Sequence, residues 1–327
     1  MSAPGASTRV VAFSGGVGGA KLVAGLAQVI TDDSLAVIVN TGDDFQHLGL
    51  SISPDIDSVV YALAGKNDVA RGWGRRDESW RFMQALAEVG APTWFQLGDL
   101  DLAMHVWRTA RLNQGAALSD VTAEIAARFG IRAQILPMSD DPVRTQVHTT
   151  QGTLEFQEYF VKLRSEPRVT GFEFSGSAAA VPPPAARSLL DESAPSAVIV
   201  CPSNPFVSIG PILAVTAWSD WLRRCRSPVI AVSPFVGRQA LKGPAEKMMR
   251  ELGYEPSSMG LQTVYGRAFD AWVIDRADAK DADALEELGV PCLVTDTVMR
   301  TTDDQTNLAR AVLDFSTRVV APARRAG

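Results

Sequence analysis

Short runs of consecutive apolar residues alternate with segments whose apolar positions recur every three to four residues. Residues 10–13 form one such run, Val-Val-Ala-Phe, followed by the glycine-rich stretch 14–21 and a helical face at Leu22, Leu26 and Val29. A second apolar run, 35–39, completes a strand–helix–strand unit, which implies parallel pairing and a right-handed crossover. The rhythm returns late in the chain. Strand-like runs lie at 197–200, 229–232, 271–274 and 292–294, with helical patterns over about 211–225, 244–252, 281–288 and 303–317. The alternation predicts an α/β fold, a Rossmann-like open, mostly parallel sheet with helices on both faces.

The middle breaks that rhythm. Residues 56–63, 78–89, 100–112 and 121–129 carry helical patterns with little strand character. They define a small helical insertion at 55–130, set between core segments 1–54 and 131–327. In the second core segment, 144–149 and 153–156 alternate around Gln151-Gly152 and predict a hairpin. Residues 177–186, with Pro182-Pro183-Pro184, predict a surface loop.

Composition narrows the function class. With 327 residues and a 46% apolar share, the chain can build a core without disulfides or metals. A formal charge of -6 and the lack of Lys/Arg-rich runs argue against non-specific nucleic-acid binding. No apolar stretch reaches the roughly 20 residues that span a bilayer. Residues 1–7 lack the charged-then-apolar order of a signal peptide, so a cytoplasmic, soluble protein is expected. Cys201, Cys225 and Cys292 have no metal-like spacing and read as buried thiols, and the 3 histidines are too scattered for a zinc site.

Candidate chemistry gathers at strand ends. Gly15, Gly16, Gly18 and Gly19 let backbone N–H groups approach an anion at the start of a helix, although a tight packing turn would read the same. Neither a Walker A loop nor the dinucleotide fingerprint is complete here, because Lys21 and Leu22 stand at the deciding positions. After the second strand comes Asn40-Thr41-Gly42-Asp43-Asp44, then Ser53-Pro54-Asp55-Ile56-Asp57. Carboxylates beside a diphosphate site suit Mg²⁺, and one could take a proton from an attacking hydroxyl, but acidic loops are also often merely solvated. Asp99 reads equally well as a helix cap, and His105 and Arg108 share a helix face as an ordinary surface pair would. Ser139 and Asp140 follow a strand in Leu-Pro-Met-Ser-Asp-Asp-Pro, while prolines at 202 and 205 bracket Ser203 and Asn204, with Ser208 just beyond. Of the 7 tryptophans, Trp73, Trp80, Trp94 and Trp107 fall in the insertion, where they fill a core or offer a stacking wall.

Taken in order, these blocks resemble the CofD/FbiA family of deazaflavin coenzyme biosynthesis. The matching stretches are SGGVGGAK at 14–21, VNTGDD at 39–44, ISPDID at 52–57, RGWG at 71–74, LGDLDLAMH at 97–105, LPMSDDP at 136–142, FQEYFVK at 156–162 and PSNPFVSIGPIL at 202–213. One departure is Leu100, where relatives often carry an arginine. The resemblance implies transfer of a phospho-three-carbon acid (2-phospho-L-lactate, phosphoenolpyruvate or 3-phosphoglycerate) from a guanylyl-diphosphate donor. The acceptor would be the ribityl hydroxyl of 7,8-didemethyl-8-hydroxy-5-deazariboflavin, with GMP leaving, in coenzyme F-420 biosynthesis. It implies Mg²⁺ and a homodimer. On this basis Asp43 and Asp55 are expected to bind Mg²⁺, with one of them or Asp57 accepting the proton. The glycine loop, Asn40, Ser139, Asp140, Ser203, Asn204 and Ser208 are expected on donor or acceptor, and Asp99, His105 and Arg108 on the deazaflavin. The alternative is a non-catalytic nucleotide-sugar-binding regulator of the same superfamily, whose members lack the ISPDID and LGDxDxAxH blocks.

Overall fold

Except for the half-buried edge strand formed by the run at 292–294, the apolar runs become strands buried from end to end, as a parallel sheet covered on both faces requires. The computed structural model describes residues 9–30, 33–191 and 194–320, so residues 1–7 lie outside it. β1 (Val10–Ser14) leads into α1 (Gly16–Val29) and β2 (Leu35–Val39). A small hairpin, β3 (Phe45–His47) and β4 (Leu50–Ile52), precedes α2 (Pro54–Leu63), α3 (Arg81–Glu88), α4 (Asp99–Asn113), α5 (Leu118–Arg128) and β5 (Gln134–Pro137). β6 (Arg144–Thr149), β7 (Gly152–Glu155) and β8 (Val169–Ser175) follow, then α6 (Arg187–Asp191), β9 (Ala197–Val200), α7 (Gly210–Ala214), α8 (Thr216–Arg224) and β10 (Val229–Val232). The chain closes with β11 (Phe235–Val236), β12 (Gln239–Ala240), α9 (Ala245–Glu251), α10 (Ser258–Tyr265), β13 (Ala271–Asp275), α11 (Asp281–Glu287), β14 (Cys292–Thr295) and α12 (Thr302–Ser316).

Seven strands pair in the order β14-β13-β10-β9-β1-β2-β5, every pair parallel. The expected α/β fold is therefore present. Period-two alternation divides the core. Val10 and Ala12 of β1 join one apolar cluster with Leu22 and Leu26 of α1 and Leu308 and Val312 of α12. Val11 and Phe13 face the other side, against Trp218 and Trp221 of α8. Among the described residues, no helix is long and apolar enough to cross a membrane.

Several elements differ from expectation. The boundary drawn at residue 55 is not a packing boundary, because Ile56, Val59 and Val60 of α2 and Val121 and Ile125 of α5 belong to the core cluster around α1. Phe45 and Ile52 of the β3–β4 hairpin instead share a separate cluster with Met83 of α3 and with Leu97. The helix expected over 211–225 breaks at Val215, which is extended and fully buried between α7 and α8. The hairpin near 144–156 forms and gains a third strand, β8, on its other side.

One close approach makes the packing testable. A β-carbon at Gly25 of α1 would lie 2.2 Å from the Gln305 carbonyl oxygen of α12. An exposed Gly-to-Ala change in a helix stabilises by up to about 1 kcal/mol. Gly25→Ala has the opposite sign, an expected loss of about 1–3 kcal/mol by overpacking, read as a lower urea midpoint with an unchanged slope.

Candidate active site

Strand order reverses between β1 and β9, so the connections leaving their carboxyl ends diverge and open a crevice. Gly15 enters α1 in extended backbone with no side-chain cap. A β-carbon there would lie 2.6 Å from Cβ of Ser208 and 3.0 Å from Oδ2 of Asp55, so only glycine fits. Ser203, beyond β9, donates its hydroxyl to the Gly15 carbonyl at 2.7 Å and accepts the Gly15 N–H at 3.3 Å. These two bonds join the two diverging loops.

Asn40, just past β2, organises the acids. Its amide nitrogen lies 2.8 Å from Asp43 Oδ1, 2.9 Å from Asp55 Oδ2 and 3.1 Å from the Val207 carbonyl, while its oxygen accepts the Gly42 N–H at 2.8 Å. Asp55 also accepts a backbone hydrogen bond from Gly16 at the start of α1. Burial and then the charge of Asp55 push the Asp43 carboxyl well above its ordinary range. Burial raises Asp55 to about 6, against the opposing bonds from Asn40 and Gly16. Burial likewise raises Asp44 to about 7, although the Ser53 hydroxyl donates to it at 2.7 Å. Acids that hold protons this readily also favour a hard cation, which relieves the same repulsion.

Nearby, Ser14 Oγ, Thr41 Oγ1, Thr145 Oγ1 and Asp44 Oδ1 are buried without a hydrogen-bond partner. Two carboxylates beside free oxygens fit Mg²⁺, which takes few protein ligands and keeps several waters. A second acid-rich group, Asp57, Asp101 and His105, is also compact. There the counter-charge is already present. Arg108 donates to both oxygens of Asp57, at 3.1 Å for one of them, and its Nη1 lies 3.2 Å from His105 Nδ1. His105 Nε2 approaches Asp101 at 3.3 Å, and the Tyr61 hydroxyl donates to the same carboxylate. Asp57 is raised by burial but is held as a carboxylate opposite Arg108. Breaking such a buried pair costs about 3–5 kcal/mol, so this group is a fixed network beside the crevice.

Gly15, Gly16, Asn40, Asp43, Asp55, Ser203 and Ser208 thus come together. Gly18 and Gly19 instead allow close packing, since β-carbons there would meet the Pro202 carbonyl at 2.5 Å and Ser14 Oγ at 2.5 Å. Four other candidates have local structural partners. Asp99 accepts the N–H groups of Arg81 and Phe82 at the start of α3, and Asp140 accepts the Ser119 N–H at 2.7 Å and its hydroxyl at 2.8 Å at the start of α5. Ser139 donates to the Val181 carbonyl at 2.6 Å, and Asn204 accepts the Phe206 N–H at 2.9 Å in a π-helical turn over Pro205–Ile209. Asp101 and Tyr61 complete this network, and the only sequence signal for them is spacing: Asp101 stands four residues before His105 and Tyr61 four after Asp57, each pair on one helix face. Beside the crevice, Phe45, His47, Trp94 and Phe95 form an aromatic group with ring separations of 4.8–6.3 Å. Arg71 lies between Trp73 and Trp80, 5.1 and 4.6 Å from their ring centres.

Comparison with known proteins shows the family. The chain is 37% identical to a 2-phospho-L-lactate transferase from Methanosarcina mazei, over 93% of this chain and 99% of that protein. It is 37% identical to a phosphoenolpyruvate transferase from Streptomyces griseus, over 96% and 100%. It is 40% identical to a 2-phospho-L-lactate transferase from Methanopyrus kandleri, over 93% and 96%. A crystal structure of a UPF0052-family protein from Bacillus halodurans shares the fold, with a TM-score of 0.62 at 14% identity, covering 94% of this chain and 99% of that one. The sequence pattern described as 2-phospho-L-lactate transferase CofD runs through residues 10–306, and with relatives this similar along nearly their whole length, the chain belongs to the CofD family of transferases.

Proposed function

We propose that this transferase moves a phospho-three-carbon acid from a guanylyl-diphosphate donor to the ribityl hydroxyl of the deazaflavin 7,8-didemethyl-8-hydroxy-5-deazariboflavin, releasing GMP. The observation that carries the reading is the buried pair Asp43 and Asp55, held by one Asn40 amide against the start of α1. Asp43 and Asp55 would hold Mg²⁺, which neutralises diphosphate charge when bound. The acceptor hydroxyl attacks phosphorus directly, so no protein nucleophile is needed. The enzyme's work is positioning and charge balance.

In this reading the N–H groups at the start of α1 face diphosphate oxygens, and Ser203 fixes the loop that presents them. Asn40 keeps the two carboxylates at one spacing. One of these two carboxylates accepts the proton released by the hydroxyl. Asp57 is bound to Arg108 and sets the position of α4 against α2 instead. The aromatic group around Phe45 and Trp94 and the Trp73–Arg71–Trp80 stack offer flat surfaces for the deazaflavin. The same reading expects a cytoplasmic homodimer.

The direct test supplies purified protein with deazaflavin, Mg²⁺ and each guanylyl-diphosphate donor, and identifies products by mass. Asp43→Ala and Asp55→Ala should each lower turnover at least about 100-fold, and wild-type rates in either variant refute that residue's role.

A thermodynamic test isolates the metal. Asp43 and Asp55 bind protons more tightly folded than unfolded, so their ionisation costs the native state stability as pH rises from the ordinary aspartate range through about 6. Metal-free Asp43→Asn should therefore melt higher than wild type at pH 7.5, with the difference fading by pH 4. Added Mg²⁺ should raise the melting temperature of wild type at pH 7.5 and leave that of the variant unchanged.

A further inference from the structure

The segment FQEYFVK at 156–162 lies outside the parallel sheet, yet it reaches the acid loop after β2. It follows β7 of the antiparallel sheet β7-β6-β8 and winds into a π-helical turn over Glu158–Lys162. Such turns are rare and frequent at functional sites. Phe156 stacks on Phe160 with ring centres 5.3 Å apart. Phe156 and Tyr159 are buried in one apolar cluster with Val147 of β6, Val169 of β8 and Val207. Gln157 stands between these two anchors in sequence and is only 5% exposed.

From there the Gln157 amide nitrogen donates to the Asp43 carbonyl at 3.2 Å, across 114 residues of sequence. The preceding carbonyl, of Gly42, accepts the Thr145 N–H of β6 at 2.9 Å. Two consecutive carbonyls of the acid loop are thus tied to the antiparallel sheet. A third tie runs through the same cluster, since Val207 presents the carbonyl that accepts from the Asn40 amide at 3.1 Å. The bonds to Gly42 and Asp43 ask different things of the sequence. Any residue but proline supplies an N–H at 145, whereas the Asp43 carbonyl is met by a long side-chain donor at 157. A buried carbonyl that loses its donor is disfavoured, so without Gln157 the loop shifts toward another partner and Asp43 shifts with it.

We propose that Gln157 is a positioning residue for the cation site, fixing the main chain of Asp43 so that its carboxylate and that of Asp55 meet one ion. The inference deepens the transferase reading and rests on it for the identity of the ion. Gln157 acts through the Asp43 backbone, as the hydrogen-bond partners behind metal ligands do. The antiparallel sheet is then the frame that holds the acid loop against the end of the parallel one.

Calorimetric titration of metal-free protein with Mg²⁺ decides it. Gln157→Met keeps the length and loses the donor, and Gln157→Asn keeps the amide and loses the reach. Each should weaken Mg²⁺ binding about 10-fold, with the deazaflavin KM unchanged and turnover largely restored by excess Mg²⁺. Val169→Ala, on β8 across β6 from β7, removes apolar volume from the same cluster. It should lower the melting temperature and keep wild-type Mg²⁺ affinity. Amide hydrogen exchange over residues 40–44 of metal-free protein should quicken in both Gln157 variants and stay as in wild type in Val169→Ala. Wild-type Mg²⁺ affinity in both Gln157 variants overturns the role, as does an equal weakening in Val169→Ala. If wild type binds no Mg²⁺, the metal reading fails by itself. The exchange rates then decide the positioning role alone, and unchanged rates in the Gln157 variants overturn it.

Discussion

A single amide holds two buried carboxylates together. Asn40 sits where β2 ends and donates to Asp43 and Asp55, which come from separate turns of the chain. Two negative groups this close and this buried repel each other strongly, and protein hydrogen bonds alone do not cancel that repulsion. The acids therefore take up protons or bind a cation, and the rest of the crevice follows from the second option. Gly15 must lack a side chain because Asp55 and Ser208 fill the space beside it. The Gly16 N–H, with the positive end of α1 behind it, supplies part of the balancing field.

Topology makes the arrangement reachable. Asp43 and Asp55 follow β2, Gly15 follows β1, and Ser203 follows β9, strands that are neighbours in the sheet but distant in sequence. A parallel sheet sends all these connections out at one edge, and the reversal of order at β1 and β9 keeps a helix from covering the gap. The Ser203–Gly15 bonds then fix the spacing of the loops across 188 residues of sequence. The core strands are apolar on both faces, so the sheet needs no help from the site to form. Asn40, Asp43 and Asp55 are thus carried by a scaffold whose stability lies elsewhere.

That division explains what could be read from the chain alone. Six of the seven core strands are legible because strands in a covered parallel sheet are written as uninterrupted apolar runs, while β5 shows only as the strand end at Leu136-Pro137, and the convergence of Gly15, Asn40, Asp43, Asp55 and Ser203 follows once those runs are placed. The destinations of Asp99, Asp140 and Asn204 were not legible. Short polar side chains serve helix starts and ligand sites equally well, and only the neighbouring backbone N–H groups decide between them. The Asp57–Arg108 pair joins residues 51 apart on different helices, a contact that periodicity does not encode. α10 is not legible in the sequence although Ser257 caps it, because its apolar pattern is short and contains Gly260.

Leu100 illustrates how such a network tolerates change. The backbone N–H groups of Leu100 and Asp101 are both bound by Glu78, at 2.7 Å each. The start of α4 is thereby anchored through main chain, whatever side chain stands at 100. Leu100 itself is exposed, while His105 and Arg108, one and two turns further along the helix, are buried against Asp57 and Asp101. Position 100 can vary without disturbing the ion network because the contacts that fix α4 are backbone at its first turn and charged side chains beyond it. The buried charges near the crevice are therefore insulated from a side-chain change at exposed position 100.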